Sequence, residues 1–217
     1  MSSPALIKSG EFGDTKDSPV NQVSFSLNKS RFTEFLVREN GLDALGFQEW
    51  VFYPGMLFHS MDKWWANSGK RDKPHEGLDL CFYRDRWDNI FCLDENVKIP
   101  VLYDGVIAKI VDDFMGKSIF VKHHLPDNHP LSLYTIYGHT NPLPGLQEGR
   151  IVKEGEILAT LAPSGHSQSS IPPHLHLSLG WTSGAISYEN LDWKTLATPD
   201  GLKWVDPLGI IRRDFNE

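Results

Sequence analysis

His174 and His176 lie two residues apart in the run Pro172-Pro173-His174-Leu175-His176-Leu177-Ser178-Leu179. In a β-strand, residues two apart share a face, so both imidazoles point one way and Leu175 and Leu177 the other. Neighbouring imidazoles on one face can reach a common small object, and neutral imidazole is the commonest side-chain metal ligand. Alone, such a pair is more often two surface histidines on an edge strand. A second group shifts the balance. Pro74-His75-Glu76-Gly77-Leu78-Asp79-Leu80 offers an imidazole and a carboxylate, both good zinc donors. Pro74 and Gly77 argue against a helix. His75 therefore reads as a loop residue leading into a strand, with Leu78, Leu80 and Phe82 toward the core and Asp79 on the opposite side. A helical HExxH zinc motif is excluded, because position 79 is Asp. A third group, Tyr137-Gly138-His139, closes an alternating strand. Gly138 permits a bend there, so His139 is expected at the strand's exit, free to turn toward a site on the sheet.

These groups need a scaffold, and the chain supplies many short apolar runs separated by Gly, Pro, Asp and Asn. The runs are Leu78–Tyr83, Val97–Leu102, Gly105–Val111, Ser118–His123, Leu131–Tyr137, Ile151–Val152, Ile157–Leu161 and Leu175–Leu179. Such spacing predicts an antiparallel, mainly β protein. Ahead of it lie a polar arm with a strand near Val23–Leu27 and a helix over Arg31–Glu39. In that helix Phe32, Phe35 and Leu36 share a face, Ser30 can cap the start, and Asn40-Gly41 can end it. The aromatic stretch Phe47–Trp65 reads as core, with one wall of a binding groove as the alternative. A short helix is expected around Glu189–Leu196, then a docked tail at Trp204–Leu208. The organisation is a small α+β extension over 1–66 and a main domain over 67–217.

The chain has 217 residues, 40% hydrophobic and 23% charged, enough apolar content for a real core. A net charge of -7 and a pI near 5.7 argue against nucleic acid and against docking on anionic surfaces. No apolar run is long enough for a membrane span. The first residues lack the continuous apolar segment of a signal peptide. Cys81 and Cys92 are spaced for a hairpin-closing disulfide or for two free thiols, and lack the CxxC pairs of a structural zinc site.

His75–Asp79, Tyr137–His139 and His174–His176 occur in the order of the lysostaphin-type (LytM-like) zinc endopeptidases, which cleave peptides of bacterial peptidoglycan. The stretch Gly149–Ala159, followed by Ser164-Gly165, is similar to that family as well. The resemblance covers roughly residues 70–180. It implies a mainly β, antiparallel metallopeptidase domain holding one Zn2+ per chain through His75, Asp79 and His176. It also implies that His139 and His174 are the catalytic histidines, one accepting a proton and the other bonding the oxyanion, in an order left open. The implied substrate is a stem or cross-bridge peptide of peptidoglycan, which would place the protein in the periplasm or outside the cell. A non-enzymatic homologue that binds peptidoglycan or a partner, and a zinc hydrolase of some other peptide, are the competing readings.

Several features depart from the pattern. Phe82–Lys98 is an insertion expected to rim the groove, Gln168–Pro173 differs from the usual Gly- and Ser/Thr-rich approach, and 1–66 resembles no wall-binding module. Of the other histidines, His123 and His124 should point to opposite faces with at least one exposed, and His59 and His129 should lie in loops. His166 is a candidate for the rim. Asn67 is either a surface residue or a blocking fourth ligand.

Overall fold

Alternating apolar residues draw the chain into fourteen strands in a computed structural model that describes residues 27–65, 69–125, 129–164, 171–182, 187–196, 198 and 202–211. In order these are β1 (Phe47–Val51), β2 (Asp62–Lys63), β3 (Gly69–Lys70), β4 (Leu78–Leu80), β5 (Phe82–Asp85), β6 (Ile90–Cys92) and β7 (Lys98–Pro100). Then come β8 (Gly105–Asp112), β9 (Lys117–His123), β10 (Ser132–Pro142), β11 (Ile151–Val152), β12 (Ile157–Leu161), β13 (Leu175–Thr182) and β14 (Lys203–Val205). Three helices accompany them: α1 (Phe32–Glu39), α2 (Trp193–Leu196) and α3 (Leu208–Ile211). The main sheet has nine strands, in the path β11-β8-β9-β10-β12-β7, with β13 joining β10 to β4 and β14. All its pairings are antiparallel, as the sequence predicts for a mainly β fold.

The sheet is buried on both faces, and the two faces do different work. Leu78, Leu80, Ile107, Ile119, Val121, Leu133, Tyr137, Leu175, Leu177 and Leu179 point into one large apolar cluster. Helix α1 belongs to that cluster through Phe32, Leu36 and Val37. Its C-terminal end is as the sequence suggests, with Gly41 at φ +63° closing the turn, but its start is not: the N-cap is Arg31, without a side-chain cap bond, and the Ser30 hydroxyl accepts the Phe32 amide from one residue further out. The opposite face carries Ala108, Phe120, Tyr134 and Ile136, covered by Leu191, Leu196 and Leu202 of the C-terminal segment. His176, Ser178 and Asp79 alternate with the core leucines and so open onto this second face.

Some expectations need correction. The helix expected over Glu189–Leu196 is broken into a single 3-10 turn, Tyr188–Asn190, and α2. Leu191 is buried between the two, and the Asp192 carboxylate accepts the Thr195 amide at 2.7 Å to start α2 afresh. The expected run Leu78–Tyr83 splits, because β4 joins the main sheet while β5 pairs with β1. The Phe82–Lys98 insertion does not rim the groove. It forms the β5–β6 hairpin beside β1, anchored by Phe47, Tyr53 and Trp64 against Tyr83 and Phe82. Cys81 and Cys92 are free thiols with sulfurs 3.3 Å apart. The expected tail does dock: β14 pairs with β13, and the Ser30 amide bonds the Ile210 carbonyl. His166, Asn67 and the strand near Val23–Leu27, apart from Leu27, lie outside the described residues.

Candidate active site

Strand register brings the separated motifs together. On β13, His176 faces Asp79 of β4 on one side and Gly138 of β10 on the other. The approach of the His75–Asp79 loop to β13 leaves no space at Gly77. A Cβ there would lie 2.6 Å from both the Leu177 carbonyl oxygen and Ser178 Oγ. His75 is held from outside the sheet: its amide donates to Ser60, its carbonyl accepts from His59, and its Nδ1 is 3.0 Å from the Leu57 carbonyl.

Three donor atoms converge. His75 Nε2 and His176 Nδ1 are 3.1 Å apart, and they lie 3.2 and 2.9 Å from Asp79 Oδ1. Among the described residues these three side chains, all buried, form the one cluster with metal-ligand geometry. The far atom of each is occupied. A carbonyl only accepts, so His75 Nδ1 carries the proton toward Leu57 and Nε2 keeps its lone pair. His176 Nε2 is 2.9 Å from the Ser178 hydroxyl, and Trp64 Nε1 donates to Asp79 Oδ2 at 2.7 Å. Partners that fix the orientation of each donor side chain are what a metal site requires. Two imidazoles and a carboxylate, with an open side toward a groove, suit zinc in a catalytic setting. Burial pushes the Asp79 carboxyl up, but the bonds and charges of His176 and His75 outweigh it and hold it well below the usual carboxylate range.

The other two predicted residues stand beside this cluster. His174 precedes β13, with Nε2 4.0 Å from Asp79 Oδ1 and Nδ1 2.9 Å from the Pro172 carbonyl. Burial lowers it to about 4, against the pull of Asp79, so it is neutral near pH 7. His139 does not sit at a strand's exit, since β10 runs on to Pro142. It lies in a β-bulge where Gly138 and His139 together oppose Ser118. Its φ is +60°, a costly value for a non-glycine residue, and the bulge turns its ring inward. The ring centroid is 4.7 Å from that of His174 and 5.8 Å from that of His176.

The site opens into a groove of about 500 Å³ walled by Trp65, Phe114, Ile171, Trp193 and Trp204, with Arg71, Lys73 and Glu76 at one side. The aromatic stretch thus divides: Phe47, Trp50 and Met56 pack inward, while His59 and Trp65 line the groove. Trp64 stands between, edge-on to His174 at 5.1 Å. Sequence reasoning missed Asp113, Ser118, Ser178, Arg71 and Trp193 as neighbours of the site. Arg71 lies 3.5 Å from Asp79 Oδ2 and over the Trp65 ring. Asp112-Asp113 reads in sequence only as turn chemistry before β9.

Residues 91–187 match the model of Peptidase family M23. That span includes His139, His174 and His176 and stops short of His75 and Asp79. Among solved structures, the chain is similar to a point mutant of the catalytic domain of the prophage-encoded M23 protein EnpA from Enterococcus faecalis. The identity is 23% and the TM-score 0.38, over 64% of this chain and 80% of that one. The solution structure of lysostaphin gives 15% and 0.41, over 67% and 51% of the two chains. A putative glycyl-glycine endopeptidase lytM from Ruminococcus gnavus gives 20% and 0.38, over 63% and 45%. The chain therefore spans about half the length of these last two. No curated protein matches it.

Proposed function

We propose that this chain, which over residues 91–187 matches the model of peptidase family M23, is a member of that family and a zinc-dependent endopeptidase that hydrolyses peptide bonds in the stem or cross-bridge peptides of peptidoglycan. The observation that carries the reading is the convergence of His75 Nε2, Asp79 Oδ1 and His176 Nδ1, each with its far atom engaged by another group. These residues would hold one zinc ion, their single carboxylate leaving it a net positive charge. When bound, zinc lowers the pKa of a coordinated water and polarises the scissile carbonyl. His139 and His174 supply the remaining groups on the groove side. One imidazole takes the proton of the attacking water and returns it to the leaving amine, and the other lies ready for the charge that develops on the carbonyl oxygen. The aromatic walls suit an extended peptide and exclude a folded one. We place the activity where peptidoglycan lies, in the periplasm or outside the cell. Among the described residues no helix is long and apolar enough to cross a membrane.

Zinc content and digestion of purified sacculi, measured on one sample with and without a chelator, test the proposal. Near one zinc per chain with chelator-sensitive release of muropeptides supports it. One zinc with no release moves the substrate away from peptidoglycan, and absence of zinc overturns the metal site. His176→Ala should lose the metal, whereas His139→Ala should keep it and lose turnover.

A further inference from the structure

The two non-ligand histidines are buttressed differently, and the difference lies in Asp113. Behind His174 stands a neutral carbonyl, that of Pro172. Behind His139 stands a buried carboxylate: Asp113 Oδ2 is 3.1 Å from His139 Nδ1, at an angle too oblique for a directed hydrogen bond, and each side chain is 8% exposed. The carboxylate is itself held. Ser118 Oγ donates to Oδ2 at 2.7 Å, the Phe114 amide donates to Oδ1 at 2.7 Å, and the His139 amide approaches Oδ2 at 3.4 Å. Ser118 Oγ in turn accepts from Trp193 Nε1 at 3.0 Å. Every contact named here offers a donor and none brings a formal positive charge, so the negative charge remains for the imidazole. Phe114, the next residue, packs edge-on to the His139 ring at 4.5 Å, so the hairpin loop between β8 and β9 grips that ring with both residues.

We propose that Asp113 is the positioning residue of His139, fixing the orientation and the Nδ1–H tautomer of its ring, with Ser118 and Trp193 holding Asp113 in place. An ionised carboxylate can only accept, so one placed 3.1 Å from Nδ1 favours the tautomer with the proton on Nδ1 and the lone pair on Nε2. A proton leaving the attacking water moves to Nε2. The Nδ1 proton stays on the ring, Asp113 stays ionised, and the Nε2 proton later passes to the leaving amine nitrogen. His139, rather than His174, is thereby the imidazole with a carboxylate behind it and Nε2 left free to accept. The inference rests on the proposed peptidase reading for its catalytic meaning, but its structural content can be read without turnover.

Nitrogen-15 NMR of the histidine rings in the zinc-loaded protein, with His139 assigned by its loss in His139→Gln, tests the tautomer directly. The expected wild-type signature is a protonated Nδ1 and an unprotonated Nε2. An Nε2–H tautomer overturns the proposal, and this needs neither a folded Asp113 variant nor an active enzyme. In Asp113→Asn the Nδ1–H preference should be lost and zinc retained. The rate of amine release at saturating sacculi should drop about a hundredfold or more, with half-saturation little changed, on the scale of losing general acid–base assistance. An Asp113→Asn protein with the wild-type tautomer and rate overturns it. If wild type releases nothing from sacculi, the peptidoglycan substrate fails while the ring signature still decides the pairing.

Discussion

Trp64→Phe tests whether the segment outside the M23 match builds the metal site. Trp64 Nε1 is the donor to Asp79 Oδ2 at 2.7 Å, on a carboxylate only 2% exposed. Phenylalanine keeps a ring against His174 and Phe82, which now sit 5.1 and 6.0 Å away, and removes only the N–H. A hydrogen bond to a charged group contributes about 1.5–3 kcal/mol. Arg71, at 3.5 Å from the same oxygen, offsets part of the loss. Asp79 Oδ1 then loses its fixed orientation toward the two imidazoles. Lost partners behind a metal ligand weaken affinity about 10–100-fold, and the backup from Arg71 places Trp64→Phe in the lower half of that range. Competition for zinc against a chromophoric chelator reads the constant, with circular dichroism confirming the fold. A zinc affinity within twofold of wild type in a folded Trp64→Phe protein would refute the reasoning, because Asp79 would then be oriented by its ligand neighbours alone.

Further outcomes follow from other parts of the molecule. Gly77→Ala forces a methyl to within 2.6 Å of the Leu177 carbonyl and Ser178 Oγ, so β4 must withdraw from β13. Overpacking of this kind costs about 1–3 kcal/mol, and both the melting temperature and zinc affinity should fall; an unchanged melt would contradict the packing. Burial lowers His123 to about 4, with Nδ1 beside the Tyr103 carbonyl and Nε2 2.6 Å from the Thr135 hydroxyl. Its folded pKa is depressed, so between roughly pH 6.5 and 4 the unfolded chain binds the extra proton and stability falls as pH falls. The loss approaches about 3 kcal/mol at pH 4. Urea unfolding of wild type and His123→Gln should diverge by that amount across the window, and parallel curves would rule it out. Finally, glutathione disulfide should reduce the free thiols of the chain from two to none by joining Cys81 to Cys92, whose sulfurs already touch. The cross-link should raise unfolding stability by about 2–3 kcal/mol. Two thiols persisting under oxidation would show that the hairpin cannot close the bond.

Residue order alone determined which side chains share a face. The alternation of β-structure is a local property, so His176 and Asp79 opposite Leu175, Leu177, Leu78 and Leu80 could be read directly, as could α1 from its spacing and its Asn40-Gly41 end. The antiparallel character also followed from short runs between turn residues. Strand partners, by contrast, are set by packing between segments far apart in the chain, and no spacing encodes them. Only the tertiary structure placed His176 between Asp79 and Gly138, put Asp113 behind His139 and set Ser118 behind Asp113. Only it showed that the bulge at Gly138-His139 turns an imidazole inward within a continuing strand. The division of the aromatic stretch between core and groove was settled the same way. Aromatic side chains satisfy either environment, and the β5–β6 hairpin, by pairing with β1, turns Phe82 onto Trp64 and leaves the groove to Trp65, Trp193 and Trp204.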